Sequence, residues 1–104
     1  MIGAREIAPA ERRRLEDSDV TLFSAESLRR PEGRTALDAA LEELGERTRA
    51  IYLHLDLDVL DPELVGPANE FAPPNGLTTE EGEVVIYSLR ERCELAAAGI
   101  ASCD

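Results

Sequence analysis

Apolar positions along the chain recur with two different periods, and the period switches several times. From Ala50 to Leu57, the residues Ile51, Leu53, Leu55 and Leu57 alternate with Tyr52, His54, Asp56 and Asp58. That is the period of two of a half-buried strand. From Thr35 to Arg47, Leu37, Ala40, Leu41 and Leu44 form one helical stripe, with Gly45 near its expected end. Pro9 suits the first turn of an arginine-rich helix reaching Glu16. Val20 to Phe23 reads as a strand, and Ser24 to Ser27 as the start of a helical turn. Pro62, Pro67, Pro73 and Pro74 predict a loop from Asp61 to Asn75. Thr78 and Glu81 have the spacing of a capping box. They open a helix from Thr79 to Ala97 whose buried stripe would be Val85, Leu89, Cys93 and Ala96. Gly99 to Cys103 reads as a last strand.

Strand, helix, strand, loop, helix, strand implies parallel crossovers. The expected fold is therefore α/β, a parallel sheet in a three-layer α/β/α arrangement, with residues 1–104 as one region. Its central strand would be Ala50 to Leu57, with Leu53, Leu55 and Leu57 packed on the long helices. The chain opens at a strand-like Ile2 and stops directly after a strand. Three or four strands with three helices cover two sheet faces poorly. The expectation is part of a larger α/β domain, marginal in stability and prone to self-association through open edges.

Composition narrows the function. With 104 residues and a 43% apolar share, the chain can build one modest core and is not a disordered acidic tail. Its 11 basic and 22 acidic residues leave a net charge of −11, which argues against nucleic acid as a partner. No apolar run reaches the roughly 18 residues of a membrane span, and the first residues are not a signal peptide. These features predict a cytoplasmic protein. Every basic residue is arginine, so chemistry that needs a lysine ammonium is excluded. Cys93 and Cys103 have no ligand-like spacing and read as reduced, buried thiols.

The chemistry concentrates in His54-Leu55-Asp56-Leu57-Asp58-Val59-Leu60-Asp61-Pro62. Strict alternation would place Asp56 and Asp58 on one face, roughly 6.6 Å apart along the strand. Their place is the C-terminal end of a parallel strand, where α/β sheets bind ligands. Two adjacent carboxylates repel unless protons or a cation neutralise them, and oxygen donors suit Mg²⁺ or Mn²⁺. A solvated strand end leading into an Asp-Pro turn is the alternative.

The longer pattern resembles the ureohydrolase family of arginases, agmatinases and formiminoglutamases. An apolar strand is followed by Asp56-Leu57-Asp58-Val59-Leu60-Asp61-Pro62, a proline-rich loop, and Gly76-Leu77-Thr78 opening a helix. Upstream, Gly3, Arg5 and Ala10-Glu11 look like that family's G-x-R-x-x-x-x-E segment. The resemblance implies a metal-dependent hydrolase that cleaves a C–N bond of a guanidino or imino small-molecule substrate at a binuclear Mn²⁺ centre. It makes Asp56 the bridging ligand and Asp58 a ligand of one ion, while Asp61 and Pro62 would stabilise the loop. His54 falls at a position that is not a ligand in the family pattern. The family's other ligands, a histidine and an aspartate-histidine-aspartate cluster, have no counterpart here, so the chain alone is expected to be inactive. It would need a missing N-terminal half, or act within a homo-oligomer.

Two departures bear on substrate. Phe71 stands where the family has a threonine contact, and Ser102 where it has a guanidinium-binding glutamate. They imply a substrate other than a simple guanidinium. Two alternatives remain at this stage: a non-catalytic association module built on the same fold, and a haloacid-dehalogenase-like phosphatase with Asp56 as nucleophile beside Asp58.

Overall fold

Proline opens three helices of this chain. The computed structural model describes residues 1–65 and 73–102. Helix α1 spans Pro9–Glu16, α3 Pro31–Arg47 and α4 Pro62–Val65. At the first helical position the missing N–H costs nothing and the fixed φ is already helical. α1 matches the sequence expectation residue for residue, and the Glu11 carboxylate accepts the Ala8 N–H at 3.1 Å. α3 begins four residues before the expected Thr35, because Pro31 outweighs the glycine in its first turn. Gly33 lies against the Ser27 carbonyl, which would stand 1.9 Å from any added Cβ. α2, Ala25–Leu28, is capped by the Ser24 hydroxyl on the Ser27 N–H.

The expected strand at Val20 to Phe23 is reduced to one parallel bridge between Ile2 and Phe23. Ser18 takes the Val20 N–H and Ser24 already caps α2, so little backbone remains for a ladder.

The sheet has two parallel strands, β1 (Ile51–Asp56) and β2 (Leu95–Ala101). Leu53 pairs with Ala98, His54 with Gly99 and Asp56 with Ala101, after one irregularity between Ile51 and Tyr52. β1 is one of two strands among the described residues, not a central one. The helix before β2 also departs from expectation. α5 spans Thr79–Arg92, and Leu95–Ala98 belong to β2, not to the helix. The cause is tertiary. The Cys93 N–H closes on the Leu89 carbonyl, its thiol donates to the Leu41 carbonyl at 3.3 Å, and Ile51 N–H takes the Glu94 carbonyl. Pairing with β1 overrides the helix propensity of the alanines. The capping box of α5 is present as expected, with Thr78 and Glu81 exchanging side chain and N–H.

One core cluster holds Ala25, Leu28, Leu37, Leu41, Leu77 and Leu89, with Ile51 and Leu53 packed against it. Leu55 and Leu57 are half-buried outside that cluster. The opposite face of β1 carries Tyr52, His54 and Asp56, all exposed. The described residues thus build an α/β fold with a parallel sheet, and helices cover the Leu53 face of β1; the third layer of the expected sandwich is not among them. α3 and α5 come together at Gly45, where an added Cβ would lie 2.0 Å from the Arg92 carbonyl. Gly45 is therefore a packing contact inside α3 and not its terminator. Cys93 is a buried free thiol; Cys103 lies outside the described residues. No helix among the described residues is long and apolar enough to cross a membrane.

Candidate functional site

β1 ends one residue earlier than the alternation predicts, and this changes how its carboxylates meet. After Asp56 the chain enters a 3-10 turn at Leu57–Val59. The Asp56 Oδ1 accepts the Asp58 N–H at 3.0 Å and fixes that turn. Asp58 is therefore the next group around a tight turn, not the next same-face position of a strand. β2 ends alongside, with Ala101 opposite Asp56 and Ser102 just beyond. Ser102 has φ of 60°, the left-handed region uncommon for a serine, and its hydroxyl donates to Asp58 Oδ2 at 3.5 Å. Asp56, Asp58 and Ser102 thus converge at the C-terminal edge of the parallel pair.

The electrostatics favour the ionised form of Asp56 there. The Asp58 N–H, and then the Ser102 hydroxyl, hold the Asp56 carboxyl below the usual carboxylate range, while slight burial opposes them and His54 adds a smaller pull downward. An ionised, accessible carboxylate suits cation binding.

The turn is held from behind by a second set of groups. Asp61 Oδ1 accepts the Glu63 N–H at 2.9 Å and caps α4, and Oδ2 accepts the Gly76 N–H at 3.2 Å. The expected loop after β1 thus begins with a helical turn, because Asp61-Pro62 is a good helix start. Leu77 bridges to Leu60, donating to the Val59 carbonyl and accepting from the Asp61 N–H, both at 2.9 Å. Arg5 spans the assembly: its guanidinium donates to the carbonyls of Gly3, Val59, Pro73 and Pro74. Asp61 stabilises the loop as expected. The role of Arg5 was not read from the sequence; the signal was its place two residues after Gly3, whose φ of 76° lets the chain turn against Val59.

His54 is exposed on β1, opposite Gly99, and does not join the two aspartates in a ligand group. Phe71 lies outside the described residues. In kind, the donors of Asp56 and Asp58 fit a hard divalent cation. In number they do not: no group of three or more His, Cys, Asp or Glu that could hold a metal gathers among the described residues. Two carboxylates do not complete the shell of one ion, and still less of two.

A family model described as Arginase family matches residues 1–103. The chain is 34% identical over 91 residues to the arginase of Glaciozyma antarctica, covering 86% of this chain and 26% of that protein. It is similar to the solved Helicobacter pylori arginase, with a TM-score of 0.76 and 26% identity over 95% of this chain and 32% of the other. The formimidoylglutamase of Bacillus subtilis shares the fold, with a TM-score of 0.81 at 20% identity, over 95% of this chain and 31% of that one. The chain thus spans about a quarter to a third of the length of the relatives it matches.

Proposed function

The chain belongs to the arginase family, and from that premise we propose that it supplies the carboxylate corner of a manganese-dependent C–N hydrolase. Asp56 and Asp58 would be its two ligands, and the remaining donors would come from outside residues 1–104. The observation that carries this reading is the juxtaposition of Asp56, Asp58 and Ser102 where β1 and β2 end together. Membership in this family, over nearly the whole chain, sets aside the phosphatase reading of the same aspartates.

The substrate class belongs to the same proposal. Ser102 faces Asp58 with a neutral hydroxyl, so a small molecule bound there would meet no third carboxylate from β2. We read this as a site for a C–N bond in a group other than a simple guanidinium. A second reading, a non-catalytic module of the arginase fold, is favoured by the shortage of donors among the described residues.

Mn²⁺ is paramagnetic, so its position can be read without activity. Titrated into the protein, it should broaden the amide resonances of Asp56, Asp58 and Ser102 before any others. Asp56→Asn and Asp58→Asn should each weaken that effect. Uniform broadening in all three proteins would remove these carboxylates from any coordination shell.

A further inference from the structure

Two segments far apart in sequence meet behind the turn that carries Asp58. One is the stretch from Gly3 to Glu11, and the other is Pro73-Pro74, which leads into Gly76-Leu77. Their meeting point is the Arg5 guanidinium. Its Nη1 donates to the Gly3 and Val59 carbonyls at 3.3 and 3.2 Å, its Nε to Pro74 at 3.2 Å and its Nη2 to Pro73 at 2.5 Å. Arginine presents its N–H donors in a rigid planar fork. Here every bond from that fork goes to a backbone carbonyl, and Arg5 makes no ion pair among the described residues.

The backbone on either side of Arg5 is bent to deliver it. Gly3 has a φ of 76°, and an added Cβ would stand 2.4 Å from a Val59 methyl. Glu6 has a φ of 51°, uncommon for a glutamate. Two left-handed residues thus bracket Arg5, and between them its side chain reaches Val59. Val59 closes the 3-10 turn and follows Asp58 directly. Its carbonyl takes two donors, Arg5 and the Leu77 N–H at 2.9 Å, which fills both lone pairs. Before it in the turn, the Asp58 N–H is tied to Asp56 Oδ1 at 3.0 Å. The main chain is therefore held on both sides of Asp58.

We propose that Arg5 is a positioning residue for the site. It locks the 3-10 turn against Pro73-Pro74, so that Asp58 stays beside Asp56 and Ser102. The inference rests on the reading of Asp58 as a ligand, and gives the segment from Gly3 to Glu11 the task of holding it. Arg5 acts through the Val59 carbonyl, not by touching a bound group. The Leu77 bond fixes that carbonyl to the residue after Gly76, whereas Arg5 alone joins it to Pro73 and Pro74 among the described residues. Lysine cannot substitute, because three donors on one nitrogen do not reach the carbonyls of three separate segments.

Amide hydrogen exchange and ¹H–¹⁵N spectra of the whole chain test this, comparing wild type with Arg5→Lys and Arg5→Ala. Arg5→Lys keeps the charge and the aliphatic stem, so it tests the fork even where Arg5→Ala does not fold. In both variants the Asp58 amide resonance should move. The Asp61 and Leu77 N–H groups should exchange roughly tenfold faster, beyond any change at Leu41 in α3 or Leu89 in α5. The Mn²⁺ concentration that half-broadens the Asp58 amide should rise about tenfold, the lower end of what losing a group that orients a ligand costs. Arg12→Ala, at an exposed position of α1, should change none of these. Equal acceleration at Leu41, Leu89, Asp61 and Leu77 would reduce Arg5 to general stability and overturn the proposal. So would an Arg5→Lys protein that matches wild type. A wild type indifferent to Mn²⁺ would instead count against Asp58 as a ligand, and the exchange pattern would still decide the role of Arg5.

Discussion

The carboxylate of Asp61 binds two backbone N–H groups at once, that of Glu63 at 2.9 Å and that of Gly76, fifteen residues on, at 3.2 Å. One side chain thereby caps α4 and closes the long loop back onto the turn after β1. It does so beside the parallel bridge of Leu60 with Leu77, so loop closure and the position of Asp58 are coupled.

Asp61→Ala should cost about 2–3 kcal/mol, because hydrogen bonds to a charged group contribute about 1.5–3 kcal/mol each and the Glu63 bond is exposed. Asp61→Asn keeps one oxygen and should lose about half as much. Urea unfolding of the three proteins measures it. Equal midpoints would mean that Arg5, through its four carbonyls, holds the loop alone.

Gly45 provides a second test, with an unusual sign. In an exposed helix interior, Gly→Ala stabilises by about 0.8–1 kcal/mol. Here the added Cβ would sit 2.0 Å from the Arg92 backbone carbonyl, which is the far end of no flexible side chain. Gly45→Ala should therefore destabilise by roughly 1–3 kcal/mol, the cost of overpacking, and α3 and α5 should separate slightly. A raised melting temperature would show that this helix contact is not tight.

Gly45 and Cys93 also mark where the sequence stops being legible. The start of α1, the cap of α5 and the alternation of β1 are local signals, and each lies where the residues place it. The end of α5 is not local. Leu95-Ala96-Ala97-Ala98 favours helix by propensity, and parallel pairing with β1 makes it part of β2. At the site, the D-x-D spacing predicts two carboxylates on one strand face, and the structure sets them around a turn instead. An aspartate that can accept the N–H two residues on ends a strand as readily as it continues one, and Asp56 does so. The approach of Ser102 depends on the β1–β2 register, which no single stretch of sequence encodes.

Acid should probe the ion pairs with a defined sign. Arg29 binds Glu81 through Nε at 2.7 Å and Nη2 at 3.0 Å. That guanidinium, more than the Thr78 N–H, holds the Glu81 carboxyl below its ordinary range. A lowered folded-state pKa gives stability that is fully present above the unfolded value of about 4.3 and is lost as pH falls through the folded one. Glu81→Gln should thus be less stable than wild type at pH 6, with the gap narrowing below about pH 4. Asp56→Asn should behave likewise, from an unfolded value near 3.9. Denaturant unfolding at pH 6 and pH 3 measures both gaps. A gap independent of pH would show that the loss comes from packing.

The last prediction concerns what the assembled site would accept. A guanidinium is a permanent planar cation, and a carboxylate recognises it by charge-assisted bonds of about 1.5–3 kcal/mol each. Beside Asp58, β2 offers the Ser102 hydroxyl instead. Arginine and agmatine should therefore bind roughly 2–4 kcal/mol more weakly than to a site with that carboxylate, about 30- to 1,000-fold. Ser102→Glu should recover part of this, since it places a carboxylate beside Asp58, although a glutamate at a φ of 60° gives back some of the gain. The measurement is urea release from both amines by the manganese-loaded protein with its full donor set, wild type against Ser102→Glu. Wild-type turnover near 10 s⁻¹, an ordinary enzyme rate, with no gain from the substitution, would mean that another carboxylate recognises the guanidinium.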